Sequence, residues 1–264
     1  MKVSHEAPLT LLEDSRNFND YDYALVHLFE EHEEYFNFFK ESLEQGREVI
    51  LDNSIFELGE AFDTSKYVEY ILKLDPTYYI IPDVLEDCDK TISNAENFLL
   101  DYNLQQKSIG VVQGKTYKEI VKCYQFMDRM DVDKIAISFD YSYFENDCPN
   151  MINKWYSFAI GRARLLSRML SEGVINTEKK HHLLGCSLPF EFAFYRDNSY
   201  DWIDSVDTSS PIVHGLLEVP YEPFGLTDKE SIKLADLIRA NPTAKQIEVI
   251  KHNLLLFRTY VNGL

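Results

Sequence analysis

Five short apolar runs in this chain end in a carboxylate or an amide. Asp52 closes VILD, Asp83 closes YYIIPD, Gln113 follows IGVV, Asp140 follows IAISF and Asp207 closes WIDSVD. A carboxylate can attack an electrophilic carbon, carry a proton to a leaving group, or accept hydrogen bonds from the N–H edge of a heterocycle. Several carboxylates around one mouth repel each other at neutral pH unless they share a proton, a cation or a cationic transition state. The pattern therefore points to an enzyme. Any one of these aspartates could equally be a turn or N-cap residue; their recurrence on successive runs carries the inference.

The elements that would hold these residues alternate along the chain. Strands are expected at Lys2 to His5, Tyr23 to Leu28, Glu48 to Asn53, Tyr78 to Pro82, Ser108 to Val112, Lys134 to Phe139, His181 to Cys186 and Trp202 to Val206. Between them lie amphipathic segments. One runs from about Glu31 to Gln45 and stops at Gly46, others cover about 65 to 74 and 152 to 170, Asp87 caps a helix to about Leu100, and Thr116 with Glu119 has capping-box spacing. A further box at Thr227 and Glu230 predicts a helix to about Ala240, and Pro242 opens a last helix ending near Tyr260. Eight strands, most followed by a helix, predict an α/β fold: a (β/α)8 TIM barrel with two C-terminal helices, one domain over residues 1–264. In such a barrel the site lies at the C-terminal ends of the strands, where these polar residues fall.

Composition narrows the function. The chain has 264 residues, 45% hydrophobic, which excludes intrinsic disorder. With 26 basic and 44 acidic residues its formal charge is −18, so a general DNA-coating role and adhesion to an anionic membrane are disfavoured. Cys88, Cys123, Cys148 and Cys186 show neither CxC nor CxxC spacing, so no metal site, no cofactor and no disulfide framework is expected. The first residues, MKVSHEAPLTLLEDS, lack the apolar core of a signal peptide, and a cytoplasmic location is expected.

Several segments resemble the tRNA-guanine transglycosylase family, in order, over residues 48 to 215. Asp52 to Phe56 (DNSIF) is similar to its DSGGF segment, Pro82 to Cys88 (PDVLEDC) to its PD segment and Val112 to Gly114 (VQG) to its IVQGG segment. His181 to Pro189 (HHLLGCSLP) is similar to HYLLGVGxP, and Trp202 to Gly215 falls where the nucleophile strand would lie. The resemblance implies base exchange at a nucleoside. A carboxylate attacks the anomeric carbon, expels the purine and holds a covalent ribosyl intermediate until another base attacks. It implies Asp52 as general acid/base, Asp83 and Gln113 on the base edge, Phe56 stacked on the base, and Gly114, Ser138, Asp140, Leu184 and Gly185 around it. The partners implied are a free purine or 7-deazapurine base and a nucleic acid, with no membrane.

Two aspartates compete for the nucleophile. Matching the family's FDCV places it at Asp204, whereas the end of the apolar run favours Asp207; residues three apart on a strand are expected to point to opposite faces. The sequence also departs from the family. Ser54 and Ile55 replace the GG of DSGGF, Ser138-Phe139-Asp140 stands where a glycine-rich segment is expected, and the zinc ligands and long tRNA-binding extensions are missing. Compact zinc-free members encoded by phages, which put 7-deazaguanines into DNA, are the nearest group, implying DNA in preference to tRNA and a host cytoplasm. Arg162, Arg164 and Arg168 are candidates for the nucleic-acid backbone, and Tyr141, Tyr143 and Phe144 for a stacking platform. Rival readings are a glycosylase that uses water and a metal-dependent barrel hydrolase using Asp52, Asp83, Asp207, His5 or His214.

Overall fold

The computed structural model describes residues 1–223, 225–230 and 232–263. Eight strands make one parallel sheet: β1 (Lys2–Ser4), β2 (Asp22–Leu25), β3 (Val49–Asp52), β4 (Tyr78–Ile80), β5 (Lys107–Val112), β6 (Lys134–Ser138), β7 (Lys180–Leu184) and β8 (Ile203–Asp207). Their order, β1-β8-β7-β6-β5-β4-β3-β2, is that of a (β/α)8 barrel. No ladder joins β1 to β2 among the described residues, and side chains stitch the seam. Asp20 N–H donates to the Val3 carbonyl (2.9 Å) and its carboxylate accepts from Val3 N–H (2.8 Å). The Asn19 amide bonds both backbone groups of His5, at 2.8 and 3.0 Å. The barrel is thus nearly closed.

Strands covered on both faces must be apolar throughout, which is why they stand out as unbroken runs. Val49 to Asp52 and Asp22 to Leu25 are buried at every position. The helices used below are α1 (Glu33–Glu44), α2 (Ile55–Leu58), α3 (Thr64–Leu74), α4 (Cys88–Asp101), α5 (Tyr117–Arg129), α6 (Lys154–Ser171), α7 (Ser210–Leu216) and α8 (Ala244–Asn262). Their starts are fixed by side-chain caps: Asp63 on α3, Asp87 on α4, a full Thr116/Glu119 capping box on α5, Asn153 on α6 and a Thr243/Gln246 box on α8.

Three expectations need correction. The second strand ends at Leu25, because Val26 already has helical backbone and leads into a short helix, His27–Glu31. The Thr227/Glu230 box caps no α-helix among the described residues; those from Lys229 to Leu234 line the barrel mouth as a strap, followed by one 3-10 turn, Leu234–Leu237. Tertiary bonds hold it: Leu9 N–H donates to Ile238 O (2.9 Å) and the Thr10 hydroxyl to Ala240 O (2.6 Å). The two C-terminal helices are instead α7, with Pro211 in its first turn, and α8.

The third correction concerns Asp204 and Asp207. His181 pairs with Ile203 and His182 with Ser205, so Asp204 is the extra residue of a β-bulge. A bulge resets the alternation of side chains, and the two aspartates part along the barrel axis. Asp204 serves the N-terminal end, bonded to Lys134 (2.8 Å) and Lys180 (3.2 Å). Lys134 is buried there over the Tyr78 ring and also reaches Glu48. Asp207 lies at the opposite, C-terminal mouth.

Candidate active site

A cavity of about 390 Å³ fills the C-terminal mouth, and every strand end contributes a wall residue to it: Glu6, Leu25, Asp52, Asp83, Gln113, Ser138, Leu184 and Asp207. Asp207 is the most firmly placed. Its Oδ1 accepts from His182 Nε2 (2.9 Å) and from Gly185 N–H (3.2 Å), and Glu6 shares the cavity wall with it. His182 is fully buried; its Nδ1 meets the Ser205 hydroxyl (2.9 Å) and its ring stacks on Tyr23 at 5.8 Å. The Tyr23 hydroxyl donates to Asp52 Oδ2 at 2.6 Å. A continuous chain of contacts thereby runs from Asp207 through His182 and Tyr23 to Asp52.

Burial raises the carboxyls of this mouth. Asp52 is pushed up to about 7 by desolvation, against the pull of hydrogen bonds from Tyr23 and the Ser54 N–H. Glu57 is pushed up to about 8 by desolvation and by the Asp52 charge. Glu6 is raised well above the usual carboxylate range, because it is desolvated and faces the charge of Asp207. Asp83 and Asp140 are raised by desolvation as well. Asp83 is held on both oxygens, by Asn53 Nδ2 (2.8 Å) and Gln113 Nε2 (2.7 Å), and Asp140 accepts from the Ser138 hydroxyl (2.7 Å). The floor is therefore rich in acceptors and carries stored protons.

The turn after β3 keeps a left-handed backbone at Ser54 (φ 60°), the conformation that glycine adopts most easily. It carries α2, which sets Phe56 on the rim, 43% exposed and 5.6 Å from Phe139. Gly185 has φ 64°, and a Cβ there would lie 2.4 Å from the Phe139 ring. The turn thus needs glycine both for its conformation and for its space. Gly114 does not touch the cavity; a Cβ on it would strike Glu119 and the Ile120 nitrogen at 2.8 and 2.9 Å, so it serves packing under α5.

Three lysines form the roof and rim. Lys229, on the strap, donates to Cys186 O (2.6 Å) over the Phe139 ring, and burial lowers its ammonium below the ordinary lysine range. Lys233 reaches across the mouth to the carbonyls of Phe56 (3.1 Å) and Glu57 (2.9 Å). Lys154 opens α6 beside Trp155.

The arginine stripe is not brought together. Arg162 is fully buried and bidentate on Glu191 (2.6 and 3.0 Å), donating also to Leu184 O (2.9 Å) and Gly185 O (3.0 Å). It falls on the apolar face of α6 with Phe158, Leu165 and Leu166, so it holds the Gly185 turn and cannot meet a phosphate. Arg164 and Arg168 are exposed and paired with Asp147 and Glu172. Tyr141, Tyr143 and Phe144 are buried and form no open platform. Among the described residues no three His, Cys, Asp or Glu side chains stand close enough to hold a metal ion. His5 and His214 lie outside the cavity wall.

Sequence reading missed Glu6, Glu57, His182, Lys229 and Lys233. Glu6 obeys the strand-end rule once β1 stops at Ser4, and His182 follows from β7 alternation, two residues before Leu184. No protein-family model matches the chain, and no curated protein does. No helix is long and apolar enough to cross a membrane among the described residues.

Proposed function

We propose that this chain exchanges a purine-type base at the anomeric carbon of a nucleoside in nucleic acid, a transglycosylase of the guanine-exchange type, with Asp207 as nucleophile and Asp52 as acid/base. The observation that carries the reading is the pairing of two differently prepared carboxyls in one cavity. Asp207 is fixed in orientation by His182 and Gly185, while Asp52 is tuned to about 7, near the optimum for proton transfer at neutral pH.

In the first step an Asp207 oxygen attacks the anomeric carbon, the glycosidic C–N bond breaks with its electron pair going to the base, and Asp52 gives its proton to that base. In the second, a ring nitrogen of the incoming base attacks the same carbon, its proton returns to Asp52, and Asp207 leaves as carboxylate. Asp83 and Asp140 offer carboxyl oxygens to a base edge rich in N–H donors, Gln113, whose Oε1 accepts from Glu86 N–H (2.9 Å), orients Asp83 for it, and Phe56 offers its face. Lys154, Lys229 and Lys233 supply the cations for a phosphate at the rim, the part the stripe on α6 does not play.

The hydrolytic alternative uses the same two carboxyls, with water in place of the incoming base and Asp52, left as carboxylate by the first step, taking its proton. Labelled guanine or 7-deazaguanine offered with DNA, and in parallel with tRNA, tests the reading. Label entering the polymer supports exchange. Base released without label uptake means hydrolysis, and neither event with either polymer sinks the proposal.

A further inference from the structure

Ser205 lies two residues before Asp207 on β8 and is fully buried. Its hydroxyl stands 2.9 Å from His182 Nδ1, and Nε2 of the same ring stands 2.9 Å from Asp207 Oδ1. The bulge at Asp204 makes this line of contacts. An unbroken register from the His181–Ile203 pair would set Asp204 opposite His182, whereas the slip sets Ser205 there instead. The ring is then held on its faces and edges: Tyr23 stacks on it (5.8 Å, 21°) and Tyr21 meets it nearly at right angles (6.4 Å, 79°). Among the described residues Asp207 is the one carboxylate paired with it.

We propose that Ser205 and His182 form a hydrogen-bonded line of fixed polarity behind Asp207: the Ser205 hydroxyl donates to Nδ1, the uncharged imidazole donates its Nε2–H to Oδ1, and Oδ2 is left as the attacking oxygen. The polarity follows from where the protons can go. A neutral imidazole has one N–H donor and one acceptor nitrogen. The Ser205 hydroxyl has no other acceptor among the described residues, so its proton is used on Nδ1 and the ring proton sits on Nε2. The reverse order, with Nδ1–H donating to Ser205, leaves a buried hydroxyl proton unpaired, and so does an imidazolium.

The Gly185 N–H also falls on Oδ1, so both donors grip one oxygen and spare the other. An imidazolium in the same place would neutralise the carboxylate it touches. An uncharged ring orients the carboxylate and leaves its charge for the anomeric carbon. Ser205 and His182 are thus positioning residues that act through Asp207. The catalytic consequence rests on the base-exchange reading, whereas the polarity of the hydrogen bonds does not.

Nitrogen-15 NMR of the full chain labelled at histidine, without substrate, reads the polarity. The His182 ring is assigned through its contact with Tyr23 and checked by the loss of its signals in His182→Gln. At neutral pH, Nδ1 in the unprotonated range and Nε2 in the protonated range are expected; Nδ1 protonated with Nε2 bare, or both protonated, would overturn the proposal. In label-incorporation kinetics Ser205→Ala should lower kcat up to about tenfold, the worth of one hydrogen bond, with KM for the incoming base unchanged. Ser205→Thr, which keeps the hydroxyl, should restore the rate. A Ser205→Ala chain as fast as wild type, or one altered only in KM, would show that Ser205 does not position the nucleophile. Absence of label uptake by the wild-type chain counts against base exchange alone, because the wild-type spectrum still decides the line of hydrogen bonds, whether or not a variant folds.

Discussion

Asp52 and Arg162 show how burial sets the work of a charged residue, one tuned for proton transfer and the other locked in an ion pair. Asp52 is raised to about 7 by desolvation, so it holds its proton below that pH and loses it above. Base departure needs the protonated form. The exchange rate is therefore expected to be flat below about pH 7 and to fall about tenfold per pH unit above it, with Asp52→Asn removing most of the rate, about 10²–10⁴-fold, together with that limb. A pH–rate profile for label incorporation checks this. Arg162 neutralises a buried Glu191, and removing one partner of such a pair leaves an uncompensated charge. Arg162→Ala should cost about 3–5 kcal/mol in urea denaturation, whereas Arg168→Ala, on the surface, should change stability by less than about 1 kcal/mol. Asp52, Asp83, Gln113 and Asp207 were legible because they end apolar runs. Arg162 was misread because an arginine suggests a charged face, although its spacing from Phe158 and Leu166 puts it on the buried one.

At the level of elements, the strap and the Gly185 turn border the cavity, and the turn orients Asp207, the proposed nucleophile. Lys233 ties the strap to α2 through two carbonyls, so Lys233→Ala should raise hydrogen exchange in residues 55–58 and 232–238 and leave the barrel strands unchanged. Equal protection in the variant would show that the lysine is no latch. Gly185→Ala meets both a left-handed φ and the Phe139 ring, and should misplace the N–H that holds Asp207, lowering exchange more than it lowers stability. The strands could be read because burial on both faces demands apolar residues at every position. The strap could not, because Leu234, Leu237 and Ile238 have helical spacing, yet only a 3-10 turn forms there, and Lys229, Lys233 and the bonds to Leu9 and Thr10 tie the described residues over the mouth. The bulge at Asp204 is likewise invisible in the sequence, since nothing in IDSVD marks where pairing slips.

For the molecule as a whole, the charge of −18 and the stored protons act in one direction. Glu6, Asp52, Glu57, Asp83 and Asp140 all have folded-state values above their ordinary ones. Their stabilisation is complete below the ordinary carboxylate range and is lost as pH rises through the folded values, up to about 8 for Glu57. Tm should fall between pH 5 and pH 8, and Glu57→Gln should recover part of the loss at pH 8, about 2–4 °C for each kcal/mol restored. Thermal melts across that range check it, and a Tm that rises instead would mean that the mouth is not desolvated. The carboxyl arrangement that costs stability at neutral pH is also what places a nucleophile opposite an acid. In the proposed exchange that placement forms a covalent bond from the sugar to Asp207. Incubating the chain with DNA or tRNA, trapping, digesting and fragmenting the modified peptide reads that bond directly. Fragment ions that place the sugar on Asp207, absent from Asp207→Asn, are the expected result; a sugar on Asp204 or Glu6, or turnover with no adduct at all, would contradict it.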